Sequence, residues 1–229
     1  MPLKIAIIAS GSGTNAQAMF DHIRAGRLDC EVVLVASNRP GARVLDRARA
    51  FGAPVLELDH TAFPDRESFD ARLAAAVRAS GADMVVLAGY MRLLTPAFLQ
   101  AFAGRVINIH PALLPSFPGT HGARDAQAWG VKITGCTVHF VDEEVDHGEV
   151  IIQAAVPALP GETEDALLDR IHALEHRIYP QALQWFAEGR VRREGRQVFI
   201  APATRPLAPV PAHGGEGAWL VSPPLEAGF

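Results

Sequence analysis

The first half of the chain alternates short apolar runs with stretches of helical period. The sharpest run is Met84-Val85-Val86-Leu87-Ala88, which is apolar without alternation. A strand of that kind is buried on both faces, as in a parallel sheet flanked by helices. Ile5 to Ala9, Val32 to Val35, Val55 to Leu58 and Arg105 to His110 read as further strands. Between them, Ala16, Met19, Phe20 and Ile23 fall at i, i+3, i+4 and i+7 of a helix. A second helix spans Ala42 to Phe51 and ends at Gly52, a suitable residue for a left-handed C-terminus. A third spans Ser68 to Ser80 with Phe69, Leu73, Ala76 and Val77 on one face. Thr95-Pro96 supplies an N-cap and an N1 proline for a short helix. This order predicts an α/β fold, an open, mostly parallel twisted sheet with helices on both faces.

The pattern changes after His110. Pro111 to Gly122 is too rich in proline and glycine for regular structure. Two strands follow, about Thr134 to Val141 and Val150 to Val156, on either side of an acidic turn, Asp142 to Gly148. They are expected to be antiparallel strands in the C-terminal half. A long helix runs from about Glu162 to Tyr179, with Thr163 as a nearby cap and Leu167, Leu168, Ile171, Leu174 and Ile178 as its apolar stripe. Pro180 is expected to kink or restart it, with Ala182 to Gly189 helical again. From Pro202 the chain is rich in Pro and Gly without periodicity. The expected organisation is one domain over 1–200 and an irregular tail over 201–229.

With 229 residues, 49% hydrophobic and 20% charged, the chain has ordinary globular composition. The net charge of −4 gives no global electrostatic case for nucleic acid or for an anionic membrane. An anionic ligand must then be held locally. Cys30 and Cys136 sit in strand-like stretches, which fits reduced thiols in a cytoplasmic protein. No run approaches the ~20 apolar residues of a membrane span, and the opening residues do not read as a signal peptide.

Three stretches carry potential chemistry. The loop from Ser10 to Asn15 follows a strand and opens a helix, where free N–H groups favour an anion. Gly11-x-Gly13-x-x-Ala16 superficially matches a dinucleotide fingerprint, but Ser37-Asn38-Arg39 stands where an acidic ribose reader would close the second strand. Two readings remain, a turn without ligand and a single phosphate site made by Gly13, Thr14 and Asn15. Next, Asn108 and His110 are two residues apart on a strand and face the same side, at its carboxyl end. An amide donor beside an imidazole can stabilise an oxyanion and move a proton near neutral pH. Finally, Asp146 lies in the acidic turn. A carboxylate beside an imidazole favours its charged form and can accept a proton, directly or through water. The alternative is a hairpin turn facing solvent. No metal site is expected: His172 and His176 are spaced i, i+4, but Glu175 is not placed as in HExxH.

Five stretches together resemble the phosphoribosylglycinamide formyltransferases, folate-dependent enzymes of purine synthesis. They are IASGSGTN at 8–15, VVLAGYMRLL at 85–94, INIHPALLPSFPGTH at 107–121, GCTVHFVDEEVDHGEVIIQ at 135–153 and ALEHRIYPQALQWFAEGR at 173–190. The resemblance implies a Rossmann-like formyltransferase fold. It implies direct, metal-free transfer of the formyl group of 10-formyltetrahydrofolate to the amine of glycinamide ribonucleotide, through a tetrahedral intermediate. It makes Asn108, His110 and Asp146 the catalytic trio. Gly13, Thr14 and Asn15 would hold the substrate phosphate, Glu175 the ribose, and His172 belongs to the same binding segment. Met91, Arg92, Leu93 and Leu94 would line the folate pocket with the 141–146 loop, including Val141 and Asp142, and Arg66 matches a further ligand position. Pro111 to about Val131 resembles a mobile lid. A monomer or homodimer acting on small molecules is expected, without nucleic acid or membrane.

Three rival readings fit the sequence less well. A formyl-folate hydrolase would need no phosphate loop and would carry an extra N-terminal domain, for which the first strand at Leu3 leaves no room. A methionyl-tRNA formyltransferase would bring a basic second domain, whereas the residues after 200 are few and not basic. A non-catalytic phosphate binder would leave the Asn108/His110 pair unexplained.

Overall fold

Each of the first strands in the chain is answered by a helix. The computed structural model describes residues 1–203, 205–208 and 217–229. In chain order, β1 (Leu3–Ala9) leads to α1 (Thr14–Arg24), β2 (Cys30–Ser37) to α2 (Arg43–Phe51), and β3 (Val55–Glu57) to α3 (Arg66–Ala79). Then β4 (Met84–Leu87) leads to α4 (Pro96–Ala101), and β5 (Val106–His110) follows. The second half contains α5 (Gly122–Trp129), β6 (Ile133–Phe140), β7 (Val150–Pro157), α6 (Glu164–Ala187), β8 (Val191–Glu194), β9 (Gln197–Ile200) and β10 (Leu220–Ser222).

The chain divides into two units, Met1–Asn108 with Phe140–Glu144, and Ile109–His139 with Val145–Phe229. In the first unit, β1 pairs in parallel with β2 and β4, β2 with β3, and β4 with the first residues of β5. The parallel expectation is met, and its cause is visible in β4: all four residues, Met84 to Leu87, are buried. Phe69, Leu73 and Val77 of α3 and Phe98 and Leu99 of α4 pack with Ala6, Ile8, Val85 and Leu87 in one core cluster. The caps act as the sequence suggests at α2, where Gly52 takes φ 94, and at α4, where the Thr95 side chain accepts from Phe98 N. α3 begins two residues earlier than expected, because Asp65 caps it by accepting from Ser68 N.

In the second unit, β6 pairs antiparallel with β7, and β7 with β10. The antiparallel strands of the C-terminal half are therefore present. Gly135 is required in β6, since a Cβ there would lie within bonding distance of the Ala154 carbonyl. α6 runs through Pro180 without a break. A proline inside a helix costs about 3 kcal/mol. Ile178, Tyr179, Ala182, Leu183 and Trp185 are all buried around it, and burial contributes about 1.5–3 kcal/mol for each large side chain, so packing wins.

The stretch 201–229, expected to be irregular, contains β10 and more. Glu226 is buried; it accepts from Trp185 Nε1 at 3.1 Å and pairs with Arg190 at 2.7 Å, and its N–H donates to Gln181 Oε1. Thr204 and residues 209–216 lie outside the described residues. Among the described residues, no helix is long and apolar enough to cross a membrane. Cys30 in β2 and Cys136 in β6 are buried free thiols.

Candidate active site

The glycine loop opens α1 in the first unit. Gly13 is the N-cap residue, at φ 72 and ψ 33, and the first turn of α1 has neither a side-chain cap nor an acidic residue. A helix start of this kind favours negative charge. Gly13 is required twice over, because a Cβ would also meet Val44 Cβ and Cγ2 at 2.6 Å and its Cα at 2.8 Å. Arg47 of α2 fixes the loop from behind, its Nε donating to Ser12 O at 2.8 Å. Thr14 and Asn15 are the first residues of α1.

The same loop positions the segment after β4. Ser10 Oγ donates to Asn38 Oδ1 at 2.6 Å and accepts from Met91 N at 2.9 Å. Ser10 N donates to Gly89 O. Met91 and Leu93 are 52% and 54% exposed, while Leu94 packs against the core. The Arg92 guanidinium sits 5.1 Å over the Phe69 ring. Beneath it, Asp70 accepts from Thr95 N at 2.6 Å. Burial pushes the Asp70 carboxyl up, opposed by the Thr95 hydrogen bonds and by the charges of Arg92 and Arg66. Arg66 is the exposed first residue of α3. Val141, half-buried, donates its N–H to Val106 O, and Asp142 is exposed with its carboxylate accepting from Glu144 N.

Asn108 and His110 occupy alternate positions at the end of β5. The division between units falls at Asn108, so His110 is described with the second unit. His110 is 3% exposed. Its Nε2 donates to the Phe117 carbonyl at 2.8 Å, and its Nδ1 lies 3.4 Å from Asp146 Oδ2. Both ring nitrogens thus face oxygen atoms, the Phe117 carbonyl on one side and the Asp146 carboxylate on the other. Asp146 is therefore brought to the imidazole; the alternative of a solvent-facing turn does not hold for this residue. Its carboxylate also accepts from Gly119 N at 2.7 Å and lies 3.7 Å from His139 Nε2. Asp146 sits at φ 52, in the left-handed region, which an Asp tolerates better than most side chains.

Several contributors escape a reading by spacing. The loop after β5 is held by Thr137, whose Oγ1 donates to Ala112 O and accepts from Leu114 N, and by Gln153, which donates to Leu114 O. Phe117, at φ 54, turns its carbonyl onto His110. Gly122 starts α5 against the imidazole, and a Cβ there would lie 2.9 Å from Nε2. The only sequence signal for these was the concentration of Pro and Gly between 111 and 122. The buried His139 lies against Asp146.

His172 and Glu175 lie on α6. Glu175 is buried, and Cys136 and Tyr179 are pushed up first by their own burial and then by its charge. The half-buried His172 ring stacks on His176, with centroids 6.3 Å apart. Among the described residues, no group of His, Cys, Asp and Glu is arranged to hold a metal ion.

Residues 3–183 match the Formyl transferase family. The chain belongs to the formyl transferase family. Within it, the chain is 43% identical to the phosphoribosylglycinamide formyltransferase of Escherichia coli over 198 residues, 86% of this chain and 93% of that one. It is 46% identical over 188 residues to the Drosophila melanogaster trifunctional purine biosynthetic protein adenosine-3, covering 81% of this chain but spanning only 14% of that protein's length. The crystal structure of glycinamide ribonucleotide transformylase 1 from Symbiobacterium toebii superposes with a TM-score of 0.86 at 51% identity, covering 88% of this chain and 95% of that one. The α/β fold of this formyltransferase family member, parallel in the first unit and antiparallel in the second, is shared with that enzyme.

Proposed function

We propose that this chain transfers the formyl group of 10-formyltetrahydrofolate to the amine of glycinamide ribonucleotide, a step of de novo purine synthesis, in the cytoplasm. The observation that carries the reading is the His110 ring held between Asp146 Oδ2 and the Phe117 carbonyl. Such a constellation suits acyl transfer to an amine, with an imidazole donor for the developing oxygen charge and a carboxylate to receive a proton. The relatives, named as phosphoribosylglycinamide formyltransferase and glycinamide ribonucleotide transformylase, support the acceptor.

The roles follow from the chemistry of each group. Gly13, Thr14 and Asn15 bind the phosphate of the acceptor at the uncapped start of α1. Glu175 holds its ribose, in the segment that includes His172. Met91, Arg92, Leu93 and Leu94, with Val141 and Asp142, bind the folate, and Arg66 binds its outer part; the outward Met91 and Leu93 fit a flat apolar ring system. As the amine attacks the formyl carbon, Asn108 donates to the oxygen on which charge develops. His110 donates beside it, and the Phe117 carbonyl stands on Nε2 where that oxygen would be taken up. Asp146 keeps the ring oriented and takes the proton lost by the amine, through a bridging water. The proton taken from the amine is passed on to the folate nitrogen, which leaves as the tetrahedral intermediate collapses and its C–N bond breaks.

The test is substrate dependence. Formyl-folate consumption is expected to require glycinamide ribonucleotide. Consumption at full rate without it would identify a hydrolase, and no consumption under any condition would identify a binder.

A further inference from the structure

The β8–β9 hairpin lies beyond residue 183, after the last residue matched by the family, and none of the roles above uses it. Gly195, at φ 57, makes its tight turn and turns out Arg196. The Arg196 guanidinium donates to the carbonyl oxygen of His147 at 2.6 Å, with a second nitrogen 3.4 Å from His147 Nε2. Further along the hairpin, Arg193 pairs with Glu149 at 3.3 Å. The two arginines therefore grip the chain immediately after Asp146, at positions 147 and 149.

We infer that Arg196 is a positioning residue, fixing the backbone beside Asp146 so that its carboxylate stays on His110. This rests on the reading of Asp146 as a participant in formyl transfer. Asp146 needs such support, because it lies on a turn whose neighbours 142 to 145 and 147 are exposed. Its side chain is held by Gly119 N and faces His110 and His139. The donor from Arg196 to the next peptide carbonyl holds the main chain as well. A charge-assisted bond to a carbonyl is among the stronger anchors a surface side chain can make. A reacting group has to be held within about 0.5 Å of its working position.

The test uses the full chain in steady-state assays with both substrates varied. Arg196→Ala is expected to lower kcat by roughly 10- to 100-fold, the scale of a small misplacement of a reacting group. KM for either substrate should stay within about twofold, and the acidic limb of the kcat–pH profile should be displaced. Arg196→Lys keeps a cationic donor and should recover most of the rate. In an Asp146→Asn background, Arg196→Ala should add no further loss. If Asp146→Asn alone turns over normally, the assignment of Asp146 fails and this inference with it. If Asp146→Asn is inactive while Arg196→Ala keeps normal kcat and pH profile, the positioning role alone is wrong. A kcat loss in Arg196→Ala matched by lost thermal stability, unrelieved by Arg196→Lys and additive with Asp146→Asn, would also contradict it.

Discussion

At the scale of single residues, the site is a set of hydrogen-bond directions converging on His110. Asn108 and His110 share a side of β5 because side chains alternate along a strand, so their pairing was legible from spacing. An oxyanion donor is worth about 3 kcal/mol, or 10²–10³ in rate. Asn108→Ala is therefore expected to lose at least about that factor in kcat with its circular dichroism unchanged; near-normal turnover would remove Asn108 from the mechanism. Asp146 was less legible. Its neighbours Asp142, Glu143 and Glu144 are exposed, as a solvent-facing turn would have them, and only Asp146 turns inward at φ 52. For the Phe117 carbonyl and Gly122 the Pro and Gly content marked the loop but not the contacts, which depend on a path that no periodicity encodes.

Among elements, the β1–loop–α1 unit links sequence most directly to the proposed phosphate site. Gly13 has to take a positive φ and has to let Val44 approach. Gly13→Ala is expected to cost about 1–2 kcal/mol of stability from the left-handed backbone alone. Displacing one N–H from a bound phosphate costs about 1.5–3 kcal/mol, so KM for glycinamide ribonucleotide should rise about tenfold or more. KM for the folate should stay nearly constant. A fall in folate affinity alone, measured by the same kinetics, would move the phosphate site elsewhere. The elements missed by sequence reading have physical reasons in common. α5 is eight residues long and begins at a glycine. β8 and β9 are short and largely exposed, so they lack an apolar alternation, and β10 has three residues. Apart from β3, whose residues are at most half-buried, the strands that were legible are the ones with a buried face, since burial is what writes a pattern into the sequence.

For the whole molecule, the expected ligand-binding residues divide between the two units. The glycine loop, Asn108 and the Met91–Leu94 segment belong to the first; His110, Asp146, His172 and Glu175 belong to the second. Each unit has its own reason to keep its residues: a parallel sheet presents loops at the carboxyl ends of its strands, and the antiparallel pair β6–β7 carries the Asp146 turn. The stretch after residue 200 joins the second unit through β10 and the buried Glu226. The central claim concerns the fate of one carbon atom. With 10-formyltetrahydrofolate labelled with ¹³C in the formyl group and glycinamide ribonucleotide present, ¹³C NMR of the reaction should show the label as an N-formyl group on the ribonucleotide. Label recovered as free formate, or retained on the folate, would contradict the account.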